Sequence, residues 1–254
     1  LPADEVSAFR TTANDLDINP IVAHASYLIN LAAPNPVLRQ RSINALTDEL
    51  DRGDALGLLG LVLHPGSYTT GTEESGLHLV AEAIDEVFAA REKGTQLLLE
   101  HTAGQGTNLG HRFEHLATII KETSAKKRLG VCLDTCHLLA AGYNIATADG
   151  YSRTFEDFET FVGLDRLQLL HLNDSKHPCG SRRDRHEHIG HGHVALDAFE
   201  VIVKHAAFNP EGNHFYIGEQ SAEGLIYGYD LSTEKPTLLW KYRTANDIDT
   251  SWPQ

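Results

Sequence analysis

The sequence predicts an α/β protein in which parallel strands curl into a barrel of the (β/α)8 type, with about six βα units present. Three observations carry that prediction. Short apolar runs alternate with longer stretches of helical periodicity, roughly every 35 to 50 residues, the pattern of a parallel sheet covered by helices. Each strand-like run ends in His, Glu or Asp. Six such ends suit a closed ring, the TIM barrel, better than an open sheet, which concentrates its site at one switch point.

In chain order, residues 1–19 are polar and mixed, and 11–19 reads as loop. A β-prone run from Pro20 then ends in His24. Leu38, Ile43, Leu46 and Leu50 recur at helical spacing within 36–56. Residues 57–63 are a buried strand, stopped by His64-Pro65-Gly66. Leu79, Ala83, Ile84 and Val87 share one face of a helix over 77–91. The strand 96–99 ends in Glu100 and runs into the turn His101-Thr-Ala-Gly-Gln-Gly. That turn lacks the Lys-Ser/Thr of a P-loop and reads as backbone that approaches a ligand. A helix over 114–122 precedes the strand 130–133, too short for a helix, with Asp134 and His137 placed after it on a turn. A helix near 154–162, a strand 166–170 ending in His171, a helix over 195–205 and a strand 215–218 ending in Glu219 complete the barrel reading. The runs 224–230 and 237–243 are aromatic and β-prone, so the predicted organisation is a metal-binding barrel over 1–222 and a tail, 223–254, folded as a β-hairpin.

The chain has 254 residues, 41% of them hydrophobic, enough for one large core. Its formal charge of −14 argues against a generally nucleic-acid-binding surface and leaves room for a local basic groove. Cys132, Cys136 and Cys179 form neither a disulfide framework nor a CxxC pair, so reduced thiols in a cytoplasmic protein are expected. No apolar run is long enough to span a membrane, and the first residues are too acidic and polar for a secretory leader. The sequence starts Leu1-Pro2 and contains no Met, which suggests a fragment.

The strand ends collect His24, His64, Glu100, Asp134, His171 and Glu219, to which His137, Asp184 and His186 are added. One histidine alone is more often not a ligand; the joint pattern is what points to metal. Mixed imidazole and carboxylate donors suit zinc first, with manganese or iron as rivals. Nine donors are too many for one ion and about right for two or three that share a bridging carboxylate. Asp184-x-His186 with His137 would make a three-ligand site with an open position. Cys136, between Asp134 and His137, is expected to point elsewhere.

Several of these stretches carry a resemblance. His24-Ala-Ser-Tyr-Leu-Ile-Asn-Leu, His64-Pro-Gly-Ser, Glu100-His-Thr-Ala-Gly-Gln-Gly-Thr-Asn-Leu-Gly, Cys132-Leu-Asp-Thr-Cys-His, His171-Leu-Asn-Asp-Ser-Lys and Gly180-Ser-Arg-Arg-Asp-Arg-His-Glu together resemble the endonuclease IV family of apurinic/apyrimidinic (AP) endonucleases, over about residues 20–205. The resemblance implies a trinuclear zinc TIM barrel that cuts double-stranded DNA 5′ to abasic sites and leaves a 3′-hydroxyl, through a hydroxide derived from water shared by two ions. It implies that His24 and His64 hold one zinc, which Glu100 bridges to a second, making Glu100 the central catalytic residue. Asp134, His171 and the last strand's glutamate, here Glu219, would complete the second; His137, Asp184 and His186 would hold the third. Tyr27 and Leu28 match the pair that wedges into the duplex at the lesion, and Lys176, Arg182, Arg183 and Arg185 would contact phosphates. A monomer is expected.

Two departures from the family pattern shape the expectations. The sequence starts just before the family's third strand, and its last strand reads Ile217-Gly-Glu-Gln-Ser rather than a Glu-Thr-Pro-like turn. A compromised member of low stability and weak activity is therefore expected, since open sheet edges strain a small folding margin. The competing readings are a metal-dependent sugar isomerase or epimerase on the same barrel, and an inactive fragment. The third ligand group and Tyr27-Leu28 favour the nuclease over the isomerase.

Overall fold

The structure, a computed structural model, describes residues 1–205, 214–218, 225–230 and 237–243. Its helices are α1 (Ala3–Asp15), α2 (Pro36–Leu56), α3 (Glu73–Phe88), α4 (Phe113–Glu122), α5 (Thr135–Ala141), α6 (Ala148–Phe161) and α7 (Leu196–His205). Its strands are β1 (Val22–His24), β2 (Gly60–Leu63), β3 (Gln96–Glu100), β4 (Leu129–Asp134), β5 (Leu167–His171), β6 (Asp174–Ser175), β7 (His186–Glu187), β8 (His214–Gly218), β9 (Leu225–Asp230) and β10 (Thr237–Arg243). Strands β1 to β5 form one parallel sheet in sequence order, an incomplete barrel of the predicted class.

Alternation along the strands divides the core. Leu61, Leu63, Leu97, Leu99, Val131 and Leu133 belong to the large cluster that the helices cover. Val62, Leu98 and Cys132 face the other way and pack with Val22 and Leu169. That inner face is narrow: a Cβ on Gly60 would come 2.9 Å from Leu98 Cδ1, and one on Gly130 2.8 Å from Leu98 Cδ2. Glycine on both flanking strands gives Leu98 its space. Register then sets the strand ends, with Glu100 beside Cys132 and Asp134 beside His171.

The helices begin where side chains satisfy their first amides. Asn35 accepts from Val37 and Leu38 at the start of α2, and Thr72 and Ser75 form a capping box that starts α3 at Glu73, earlier than periodicity suggested. Thr147 caps α6, which likewise starts before residue 154.

Three expectations are corrected. Residues 3–15 are helix, so of the loop expected over 11–19 only 16–19 is non-helical; α1 buries no residue and has no apolar face for periodicity to detect. Asp134 and His137 are not on an open turn: Asp134 caps α5, on which His137 lies. The strand near 215–218 is not a sixth parallel strand; β8 pairs antiparallel with β9, and β9 with β10. Among the described residues, no helix is long and apolar enough to cross a membrane.

Candidate metal centre

Glu100 ends β3 with 1% of its surface exposed, and three imidazole nitrogens surround its carboxylate. Oε2 lies 2.8 Å from His24 Nε2 and 2.9 Å from His64 Nε2. Oε1 lies 2.9 Å from His171 Nδ1. Burial alone would raise the carboxyl pKa; His171, His24 and His64 outweigh it and hold Glu100 well below the usual range. His24 Nδ1 is 2.7 Å from the Ala25 carbonyl oxygen, so the ring donates there. Its Nε2 in the neutral ring is then a lone pair facing a carboxylate oxygen. Two acceptors at that distance require a cation, a proton or a metal ion. Burial lowers the His24 pKa, but the Glu100 carboxylate more than offsets it, so the ring's pKa is raised.

A second group adjoins the first. Asp134 Oδ1 accepts the His137 amide at 3.0 Å, while Oδ2 accepts from Asn173 Nδ2 at 2.6 Å and lies 3.8 Å from His186 Nε2. His137 donates from Nδ1 to the His101 carbonyl at 2.9 Å, which turns Nε2 toward Asp184 Oδ2 at 3.2 Å and His186 Nε2 at 3.4 Å. Asp184 Oδ1 is 3.2 Å from His186 Nε2. Burial would lower the His137 pKa; Asp134, Asp184 and Glu100 overcome it and push it up to about 10. Asp184 moves the opposite way, burial being outweighed by His137 and His186. His186 Nδ1 is buried without a partner. His137, His186 and Asp184 approach one another within 3.4 Å and Asp134 adjoins His186, and such mixed imidazole and carboxylate donors are those of a transition-metal site. The residues therefore fit zinc, in the groups His24/His64/Glu100 and Asp134/His137/His186.

Eight of the nine sequence-predicted ligands converge at the carboxyl ends of β1 to β5 and in the segments that follow them; Glu219 lies outside the described residues, as does the Tyr-rich tail's connection to it. Cys136 does not point away: its thiol joins Asp184 and His186 in one group. Burial pushes that thiol up to about 12, which disfavours the thiolate a metal needs. Tyr27 and Leu28 are 86% and 74% exposed on the segment after β1. Lys176, Arg182, Arg183 and Arg185 are exposed beside Asp184.

Sequence reasoning missed the supports. Thr135 Oγ1 donates to the Asn173 carbonyl at 2.6 Å and accepts the Asn173 amide at 2.8 Å, fixing the side chain that holds Asp134. Asp174 receives four backbone amides: Ser175 at 2.7 Å and Val194 at 2.8 Å on Oδ1, Gly190 at 3.0 Å and Gly192 at 2.9 Å on Oδ2. The Asn-Asp-Ser that follows Leu172 was the available signal.

A family model described as a xylose isomerase-like TIM barrel matches residues 1–215. A protein of Chloroflexus aurantiacus called "Probable endonuclease 4" is 50% identical over 206 residues, covering 81% of this chain and 72% of that protein. One of the same name from Citrifermentans bemidjiense is 47% identical over 208 residues, covering 82% and 73%. The crystal structure of endonuclease IV from Thermus thermophilus superposes with a TM-score of 0.69 at 37% identity, covering 80% of this chain and 71% of that one. A D-tagatose 3-epimerase-like protein shares the fold, with a TM-score of 0.61 at 21% identity over 80% of this chain and 73% of that one.

Proposed function

The chain belongs to the endonuclease IV family of the xylose isomerase-like TIM barrels, and on that premise we propose that it is a zinc-dependent DNA repair endonuclease that hydrolyses the phosphodiester 5′ to an abasic site and leaves a 3′-hydroxyl. The observation that carries this reading is Glu100, buried and ionised, with His24 and His64 on one oxygen and His171 on the other.

In this reading His24, His64, Glu100, Asp134, His171 and Glu219 would hold two ions with Glu100 common to both, and His137, Asp184 and His186 would hold a third, manganese being the alternative metal. Zinc bound there would supply the Lewis acid and the activated water that phosphodiester hydrolysis needs. The chain's own contribution is orientation and charge. Glu100 stays ionised in a buried place, which keeps cations together at short range. The His101 carbonyl, Asn173 and Thr135 fix the tautomers and rotamers of the donors. Tyr27 and Leu28 stand out from the surface and fill the gap left by the missing base. Lys176 and the neighbouring arginines hold strand phosphates. The third group favours the nuclease over a sugar epimerase, whose barrel chemistry needs one or two ions.

The test is a zinc-loaded sample on a duplex with one abasic analogue in a 5′-labelled strand. The expected product is a single cut immediately 5′ to the lesion, with an end that a polymerase extends, and no cut in the undamaged duplex. No cleavage after zinc loading, or an end that cannot be extended, would sink the proposal.

A further inference from the structure

In a chain of formal charge −14, three arginines stand within four residues: Arg182, Arg183 and Arg185. With Gln105, His177 and Ser181 they line a pocket of about 420 Å³, inside the ~300–1,000 Å³ span of small-ligand sites. Among the described residues, no carboxylate pairs with any of the three guanidinium groups. Their segment is firmly tied down. The Gly180 amide donates to Leu139 O and the Arg182 amide to Ala140 O, each at 2.9 Å, and the Lys176 amide donates to Arg185 O at 3.0 Å. Arg182 is held at φ +52°, a region that side chains with a Cβ rarely occupy and that clusters at ligand sites. The Ser181 hydroxyl is buried and has no partner.

Arg182 is also aimed. Its Nη2 donates to His111 Nε2 at 3.2 Å, and His111 Nδ1 donates to the Asn108 carbonyl at 2.9 Å. A carbonyl only accepts, so the ring's hydrogen sits on Nδ1 and Nε2 is free to accept. His111 is 7% exposed and cannot drift: the His115 ring packs at 4.7 Å, and the ring lies within 2.8 Å of where a Cβ on Gly104 would be. Burial, followed by the charge of Arg182, keeps this imidazole neutral against the pull of its carbonyl partner.

With the phosphate contacts of the 180–185 arginines taken from the proposed function, we propose that His111, outside that segment, is a positioning residue that turns Arg182 toward one phosphodiester group in this pocket. Arg183 and Arg185 supply charge, and the Ser181 hydroxyl supplies a neutral donor. None of the lining residues belongs to the ligand groups around Glu100, so the phosphate held here is a neighbour of the one being cut, next to Asp184. Planar guanidinium forks match phosphate oxygens in pairs, and a neutral imidazole acceptor fixes one fork without cancelling its charge. The inference rests on the DNA-cleaving reading only for the identity of the ligand.

The test uses the zinc-loaded full chain on undamaged duplex DNA, which needs no lesion recognition, with affinity measured across salt. Arg182→Ala should weaken binding about tenfold at low salt and lower the slope of log K against log salt by about one. His111→Phe, which changes no charge, should reproduce most of that loss, and His111→Gln, which retains an acceptor, should restore it. In the His111→Phe/Arg182→Ala pair the losses should not add, because one acts through the other. Parent-like affinity and slope in Arg182→Ala overturn the pocket. A loss in His111→Phe that adds in full to that of Arg182→Ala overturns the positioning role. Arg182 is exposed and no core packing depends on it, so the first arm is readable even if His111→Phe does not fold. Nicking of the abasic duplex is scored separately: failure there with the expected salt slopes removes the cleavage reading and leaves the pocket.

Discussion

The two halves of the candidate centre are built differently. His24, His64, Glu100 and His171 stand at or just after the ends of β1, β2, β3 and β5, and the ladder fixes their spacing. Asp184 and His186 stand on the segment between β5 and α7, whose strands β6 and β7 have two residues each. That segment is gathered by one buried carboxylate, Asp174, through four backbone amides, and packed so closely that a Cβ on Gly192 would fall 2.4 Å from Ser175 O. Donors on a sheet are placed when the sheet forms. Donors on a loop need a polar knot of their own, and removing the knot leaves several buried donors unpaired at once.

The change with the largest expected effect is Glu100→Gln, at the centre of the strand-end half. It keeps the volume and removes the charge between cations, so nicking of an abasic duplex should fall by about a thousandfold or more while duplex binding is partly kept. A variant that nicks near the parent rate would end the assignment. Asp174→Ala separates the halves. It strands four amides, so chemical denaturation should show a loss of about 3 kcal/mol or more, and one metal equivalent should leave while the strand-end pair remains. Retention of full metal content by that variant would show that the loop half does not depend on its knot. Tyr27→Ala/Leu28→Ala should do the reverse. Both side chains are exposed, so stability should stay within about 0.5 kcal/mol, yet preference for abasic over intact duplex should drop by about tenfold in competition binding.

The smallest effect lies away from the centre and serves as its control. Asp85 accepts from the Thr123 hydroxyl, the Ser124 amide and hydroxyl and the Ala125 amide. Partial burial would raise its pKa; these bonds outweigh it and lower it below the ordinary value. A depressed carboxyl pKa gives stability that is present above the unfolded value and lost as pH falls through the folded one. Asp85→Asn should therefore cost under about 1 kcal/mol at pH 7, since the group is largely solvated, and the difference from the parent should shrink toward pH 3. Urea unfolding at the two pH values reads it, and metal content should not change.

The same contrast explains what could be read from the sequence. The five parallel strands were legible because their apolar runs are short, bounded and followed by polar ends, and the strand-end donors came with them. The loop donors Asp184 and His186 follow no apolar run and were legible only as an Asp-x-His spacing, which the family resemblance then joined to His137 as a third ligand group. Helix α5 was missed because it has seven residues and is nucleated by Asp134, a residue already assigned to the metal. Helix α1 was missed because it buries nothing. β8 was recognised as a strand but given the wrong neighbour, since a strand's own residues do not say which edge it joins. Asp174, Asn173 and Thr135 sit a layer behind the donors, where a side chain's role depends on backbone groups brought together only by folding.

The most direct measurement is the metal content of the dialysed full chain, by elemental analysis, for the parent beside Glu100→Gln and Asp174→Ala. The account predicts about three zinc equivalents in the parent, about one in Glu100→Gln, where only the loop half is left, and about two in Asp174→Ala, where only the strand-end half is left. Less than one equivalent in a folded parent, or the same content in all three proteins, would contradict it.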